Sequence, residues 1–177
     1  MTPKPLFDSL VLTVICDDRP GIIARLSHLL EQHGGNWTES SMLSLAGKFA
    51  GILLAQVPAE QCASLIRQLQ ELEAEGIHIT AHGSNDAPID DAAREFVLDL
   101  IGQDRPGIVR DITSILSRHG VNVLELESSC ESASMSGEML FRAKARLRIP
   151  EGVSRALLQD ELELLANELM VDINLQE

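Results

Sequence analysis

Asp18-Arg19-Pro20-Gly21-Ile22 is the stretch of this 177-residue chain best equipped for binding chemistry, and it occurs twice. Asp104-Arg105-Pro106-Gly107-Ile108 repeats all five residues in order, 86 positions later. A glycine lets the backbone come close to a small molecule, and the first N–H groups of a helix that follows have no partner within it. Such a helix start accepts a small carboxylate. Asn36 and Asn122, again 86 apart, add a side-chain oxygen to accept from an ammonium group and an amide to donate. The two kinds of group together suit a zwitterion of amino-acid size. One Asp-Arg-Pro-Gly stretch alone is an ordinary helix-start signal; its repetition with the asparagine retained argues for a binding role.

The elements that must hold these residues follow from the same repeat. Ile22, Ile23, Leu26, Leu29 and Leu30 have the spacing of Ile108, Val109, Ile112, Ile115 and Leu116, one apolar face of a helix. Pro20 and Pro106 suit a first turn, Asp18 and Asp104 are N-cap candidates, and Gly34 and Gly120 sit where a glycine stops a helix. Strands are expected before each helix, at Leu10–Ile15 and Phe96–Ile101. Two hairpins follow, Asn36–Leu45 with Phe49–Val57 and Asn122–Cys130 with Met139–Ile149, turning at Gly47 and Gly137. Pro58 and Pro150 end the third strands, so the second hairpin is six residues longer. Cys62, Leu65, Ile66, Leu69 and Leu72 mark another helix, matched by Val153–Leu169, and short strands at Ile77–Ala81 and Met170–Leu175 close the halves.

The order β-α-β-β-α-β, twice, predicts an α+β chain of two ferredoxin-like domains in tandem, each an antiparallel sheet with both helices on one face. The opposite sheet face needs a cover. Residues 85–93 lie in a polar, punctuated stretch and are expected to link a first domain at 1–84 to a second at 94–177.

Composition excludes several functions. With 27 acidic residues against 14 Lys and Arg, a net charge of −13 opposes direct nucleic-acid binding, which requires cations to displace phosphate counterions. One tryptophan and no tyrosine leave few stacking platforms. The apolar run after the N-terminus stops at Cys16, too short for a membrane span or a signal-peptide core, so a cytoplasmic location with no membrane contact is expected. Cys16, Cys62 and Cys130 lack the paired spacing of a metal or redox motif and read as reduced thiols. His33 and His119 fall in last helical turns, where a cation is favoured, and His78 and His82 share a strand face without completing a metal site. Ser128-Ser129-Cys130 lies within a hairpin and lacks the sharp turn of a nucleophile. No catalytic residue, metal or cofactor is expected.

With its repeated aspartate-arginine-proline-glycine helix start, a helix ending in glycine and an asparagine shortly after, nearly the whole chain resembles the ACT-domain family. The resemblance implies that small ligands, usually amino acids, bind at interfaces between modules and shift the activity of an associated protein. Carried over by position, the ligand-side residues are Asp18, Arg19, Pro20, Gly21, Ile22 and Asn36, and Asp104, Arg105, Pro106, Gly107, Ile108 and Asn122. Trp37 beside Asn36, where Val123 stands beside Asn122, is expected to block or wall the first pocket. As a tandem pair the chain is most similar to family members that regulate transcription. That implies glycine as the first ligand to test and a transcriptional activator as protein partner, with homodimerisation open. Two other readings stay open: a detached regulatory part of an enzyme of amino-acid or one-carbon metabolism, and a ligand-free dimerisation module.

Overall fold

The computed structural model describes residues 6–84, 93–132 and 138–177, and the chain divides into two compact units, Met1–Ala87 and Pro88–Glu177. The first contains β1 (Phe7–Asp17), α1 (Ile22–Gln32), β2 (Asn36–Leu45), β3 (Lys48–Pro58), α2 (Ala59–Glu71) continued by one 3-10 turn (Leu72–Glu75), and β4 (His78–Gly83). The second contains β5 (Arg94–Gln103), α3 (Ile108–Arg118), β6 (Asn122–Ser132), β7 (Met139–Ile149), α4 (Arg155–Leu169) and β8 (Val171–Gln176). The predicted β-α-β-β-α-β order is observed in both. The linker expected at 85–93 lies almost wholly outside the described residues, as does the turn expected at Gly137.

Each unit is one four-stranded sheet, ordered β2-β3-β1-β4 and β6-β7-β5-β8, with every neighbouring pair antiparallel. Alternation along β1 buries Leu10, Leu12, Val14 and Cys16 in one core with Ile22, Leu26, Leu29 and Leu30 of α1 and Leu65 and Leu69 of α2. Burying one face of the strand and one stripe of each helix puts both helices on that side of the sheet. Phe96, Leu98 and Leu100 of β5 do the same with α3 and α4. The other face is open: Ile15, Leu43 and Ile52 are 51%, 57% and 48% exposed. No helix among the described residues is long and apolar enough to cross a membrane.

Both first helices stop where glycine was expected. Gly34 and Gly120 adopt left-handed φ of 66° and 68°, and the residues after them, Gly35 and Val121, return N–H bonds to Leu30 and Leu116 carbonyls at 2.8 and 2.9 Å. Their starts differ from expectation. Gly21 and Gly107 occupy the N-cap position, and no side chain caps either helix. Asp18 and Asp104 stand too far back along the loop to serve, and their carboxylates are engaged elsewhere.

Candidate functional site

In each unit the repeated motif forms the loop from the first strand to the first helix. Gly21 and Gly107 have φ of 94° and 99°, a left-handed backbone that disfavours any side chain with a Cβ. The chain thereby turns sharply and starts the helix with its N-terminal amide groups free of any side-chain cap, which leaves them available to an anion.

The aspartates fasten the loop to the neighbouring hairpin. Ser44 Oγ on β2 donates to Asp18 Oδ2 at 2.5 Å, and the Asp18 N–H donates to the Gly47 carbonyl at 2.9 Å. In the second unit the Cys130 thiol on β6 hydrogen-bonds the Asp104 carboxylate, and the Asp104 N–H donates to Met139 O at 2.8 Å. Ser44 and Cys130 are 86 positions apart, so each copy of the repeat sets a hydroxyl or thiol donor against its motif aspartate. The Cys130 thiol is pushed above its ordinary pKa by local desolvation and then by the Asp104 charge and hydrogen bond. These two donors are absent from the site expected on sequence grounds; the repeat offset relates them to each other only once their aspartate partners are known.

The remaining motif residues face in several directions. Arg19 donates to the Glu75 carbonyl at 2.8 Å, tying the loop to the 3-10 turn after α2, and Arg25 meets Glu75 Oε1 at 3.2 Å. Arg105 lines a groove between α3 and α4 with Asp111, Arg118 and Glu161. Ile22 and Ile108 are 5% and 2% exposed, so their side chains belong to the cores. At the strand end just before the first loop, a close hydrogen-bonded ion pair with Lys48 holds the Asp17 carboxyl below its usual range.

Asn36 and Asn122 are exposed at the far end of each sheet. Asn36 registers with Gln56 and Gln56 with Ser9, whereas Asp17, at the mouth of the loop, registers with Lys48. Ser9 and Asp17 are eight residues apart on β1, about 26 Å at the rise of a strand. The loop and the asparagine of one unit therefore do not meet. Trp37 packs partly buried against the core, on the helix side of β2. Among the described residues no group of three or more His, Cys, Asp and Glu side chains converges as a metal site would. His33 is buried, its Nδ1 2.8 Å from the Leu29 carbonyl, a bond that caps the last turn of α1.

Models of the ACT domain match residues 8–82 and 96–161. The chain belongs to the ACT-domain family. It is similar along 97% of its length to the crystal structure of an unknown protein from Galdieria sulphuraria, of which 99% is covered, with 30% identity and a TM-score of 0.84. The structure of a candidate glycine cleavage system transcriptional repressor matches 97% of each chain with 20% identity and a TM-score of 0.70, a likeness of fold. No curated protein sequence matches. Every assigned part of this chain is thus an ACT module, a regulatory domain type.

Proposed function

We propose that the chain is a non-enzymatic sensor of a small amino acid, binding it where the loop of one ACT module meets the asparagine of another. The observation that carries this reading is the layout of β2. Asn36 begins the strand and Ser44, bonded to Asp18, lies near its end. β2 is also an edge strand with one unpaired side. Antiparallel pairing of two such edges brings each Asn36 alongside the other's Ser44–Asp18 end, so the helix N-terminus for a carboxylate and the amide oxygen for an ammonium converge only across modules. β6 has the same layout, from Asn122 to Cys130.

Glycine is the first ligand to test. The similar structure described as a glycine cleavage repressor supports that choice. The surplus of acidic over basic residues favours an effect on transcription delivered through a protein partner, an activator, inside the cytoplasm. Ligand binding changes the partner's affinity only by as much as the ligand itself discriminates between the free and partner-bound forms.

Titration calorimetry with glycine, using alanine and serine as controls, tests the reading. Saturable heat with glycine, lost in Asn36→Ala or Asn122→Ala, is expected and identifies the working module. Absence of heat with every amino acid refutes the sensor and leaves a ligand-free interaction module.

A further inference from the structure

We infer that a second copy of this chain covers the open face of the first module's sheet, the two faces stacking about a two-fold axis parallel to the strands between β3 and β1. The register sets out that face in rows across β2, β3, β1 and β4: Glu39-Leu54-Val11-His82, Ser41-Ile52-Thr13-Thr80, Leu43-Ala50-Ile15-His78, and Leu45-Lys48-Asp17. Its middle is apolar, and the large exposed apolar residues in these rows are Ile15, Leu43, Leu45 and Ile52.

A two-fold axis parallel to the strands lays each β3 residue over the β1 residue of the same row in the other copy. Leu54 then meets Val11, Ile52 meets the smaller Thr13, small Ala50 meets Ile15, and Lys48 meets Asp17. In the two central rows a larger residue faces a smaller one, which lets inner faces interdigitate as in an aligned sheet sandwich. At the rim Glu39 faces His82, Ser41 faces Thr80 and Leu43 faces His78, so two of the three rim pairs set polar groups against polar groups. A two-fold contact makes each of these pairs twice.

The second module is ill suited to the same stacking, although Lys144 would meet Asp99. Its corresponding β7 residues are Arg142, Lys144 and Arg146, and the same operation lays Arg142 and Arg146 over Ile101 and Val97, charges over apolar groups. The open face of the first module is about 19 Å wide and about 20 Å long from strand spacing and rise, so two copies remove on the order of 800 Å² from water. That is the range of weak, reversible interfaces, and the dimer dissociates on dilution. The contact uses side chains on the sheet face, so it leaves the β2 edge free and is independent of the proposed ligand site.

Sedimentation of the full chain across a wide concentration range, without ligand, tests this. Loss of one two-fold contact halves the assembly: Ile52→Lys at high concentration is expected to have half the mass of the wild type, and Leu54→Arg likewise. Both substitutions install what the second module carries at Lys144 and Arg146, so the fold tolerates them; circular dichroism confirms it. Glu39→Lys weakens association, and adding His82→Glu restores it, because the pair meets across the axis. A wild type with no concentration dependence, or an Ile52→Lys protein of unchanged mass, overturns the inference.

Discussion

Gly51 sits in β3 directly opposite Met42 of β2, and replacing it by alanine tests how tightly the first module's sheet is fitted. An added Cβ would lie 2.4 Å from Met42 Cγ, 2.7 Å from the Ser41 carbonyl oxygen and 3.0 Å from Met42 Cα. The methionine side chain can swing away, but the carbonyl and Cα belong to the strand, so β2 itself has to shift. Overpacking of this kind costs roughly 1–3 kcal/mol. The less flexible unfolded chain of the alanine variant offsets about 0.4–1 kcal/mol. Mid-range values, about 2 less about 0.7, leave a net loss of roughly 1.3 kcal/mol, which lowers Tm by about 5–10 °C for a domain of this size. The second module supplies the rescue, because there Ser128 pairs with Ala143, a smaller residue against a larger one. Gly51→Ala combined with Met42→Ser is therefore expected to lose less stability than the two single changes added together, by about 1 kcal/mol. Urea unfolding read by Trp37 fluorescence reports this, since the chain's one tryptophan packs against the first core. A Gly51→Ala protein with wild-type midpoint, or strict additivity in the cycle, refutes the argument.

Gly21→Ala forces a side chain into a backbone with φ of 94° where nothing lies within 4 Å of the new Cβ, so the cost is conformational alone, about 1–2 kcal/mol, and Trp37-detected melting should fall accordingly. In a native thiol-reagent time course Cys130 should react first, being exposed, with Cys62 and Cys16 slower. All three thiols are raised by desolvation, so they react more slowly at neutral pH than in denaturant. Their contribution to stability is present below the ordinary thiol pKa and is lost as pH rises through the folded values. Lys48→Ala should return the Asp17 carboxyl toward its ordinary pKa in a carboxyl NMR titration, because its depression comes first from the Lys48 hydrogen bond and then from that charge. In the wild type that pair stabilises the fold above the ordinary carboxylate pKa and ceases to do so as pH falls through the depressed one.

Much of the fold is written in periodicity because burial is. The stripe Ile22, Leu26, Leu29, Leu30 is buried as its spacing requires, while Ile23 is half exposed on the helix flank. Strand limits are less legible: β1 runs from Phe7 to Asp17 rather than Leu10 to Ile15, because its ladder continues through Asp8, Ser9 and Asp17, and hydrogen bonding in a ladder is indifferent to side-chain polarity. The loop of the candidate site shows through its repetition. Its separation from Asn36 does not, since the two lie close in sequence while α1, eleven residues long, carries the chain about 16 Å to the other end of the sheet. Ser44 and Cys130 look like any polar strand residues until their partners are seen.

Duplication makes the two modules a controlled comparison. Their helix-facing strand residues stay apolar, Leu12 and Val14 answering to Leu98 and Leu100, because folding alone demands it. On the open faces the centre changes character: Ala50, Ile52 and Leu54 in β3 stand where β7 has Arg142, Lys144 and Arg146. The basic strand of the second module is balanced by its neighbours, with Arg146 3.7 Å from Glu125, Arg142 3.7 Å from Glu131, and Arg148 3.2 Å from Glu95. Such cross-strand pairs are each worth little, yet together they leave a face that water solvates without a partner. The first module has no such balance at its centre, where apolar groups meet solvent at a cost that only a covering surface removes. Since both sheets fold on the same buried pattern, the difference in their open faces reflects a demand other than folding: one module is suited to stand in solvent and the other to be covered.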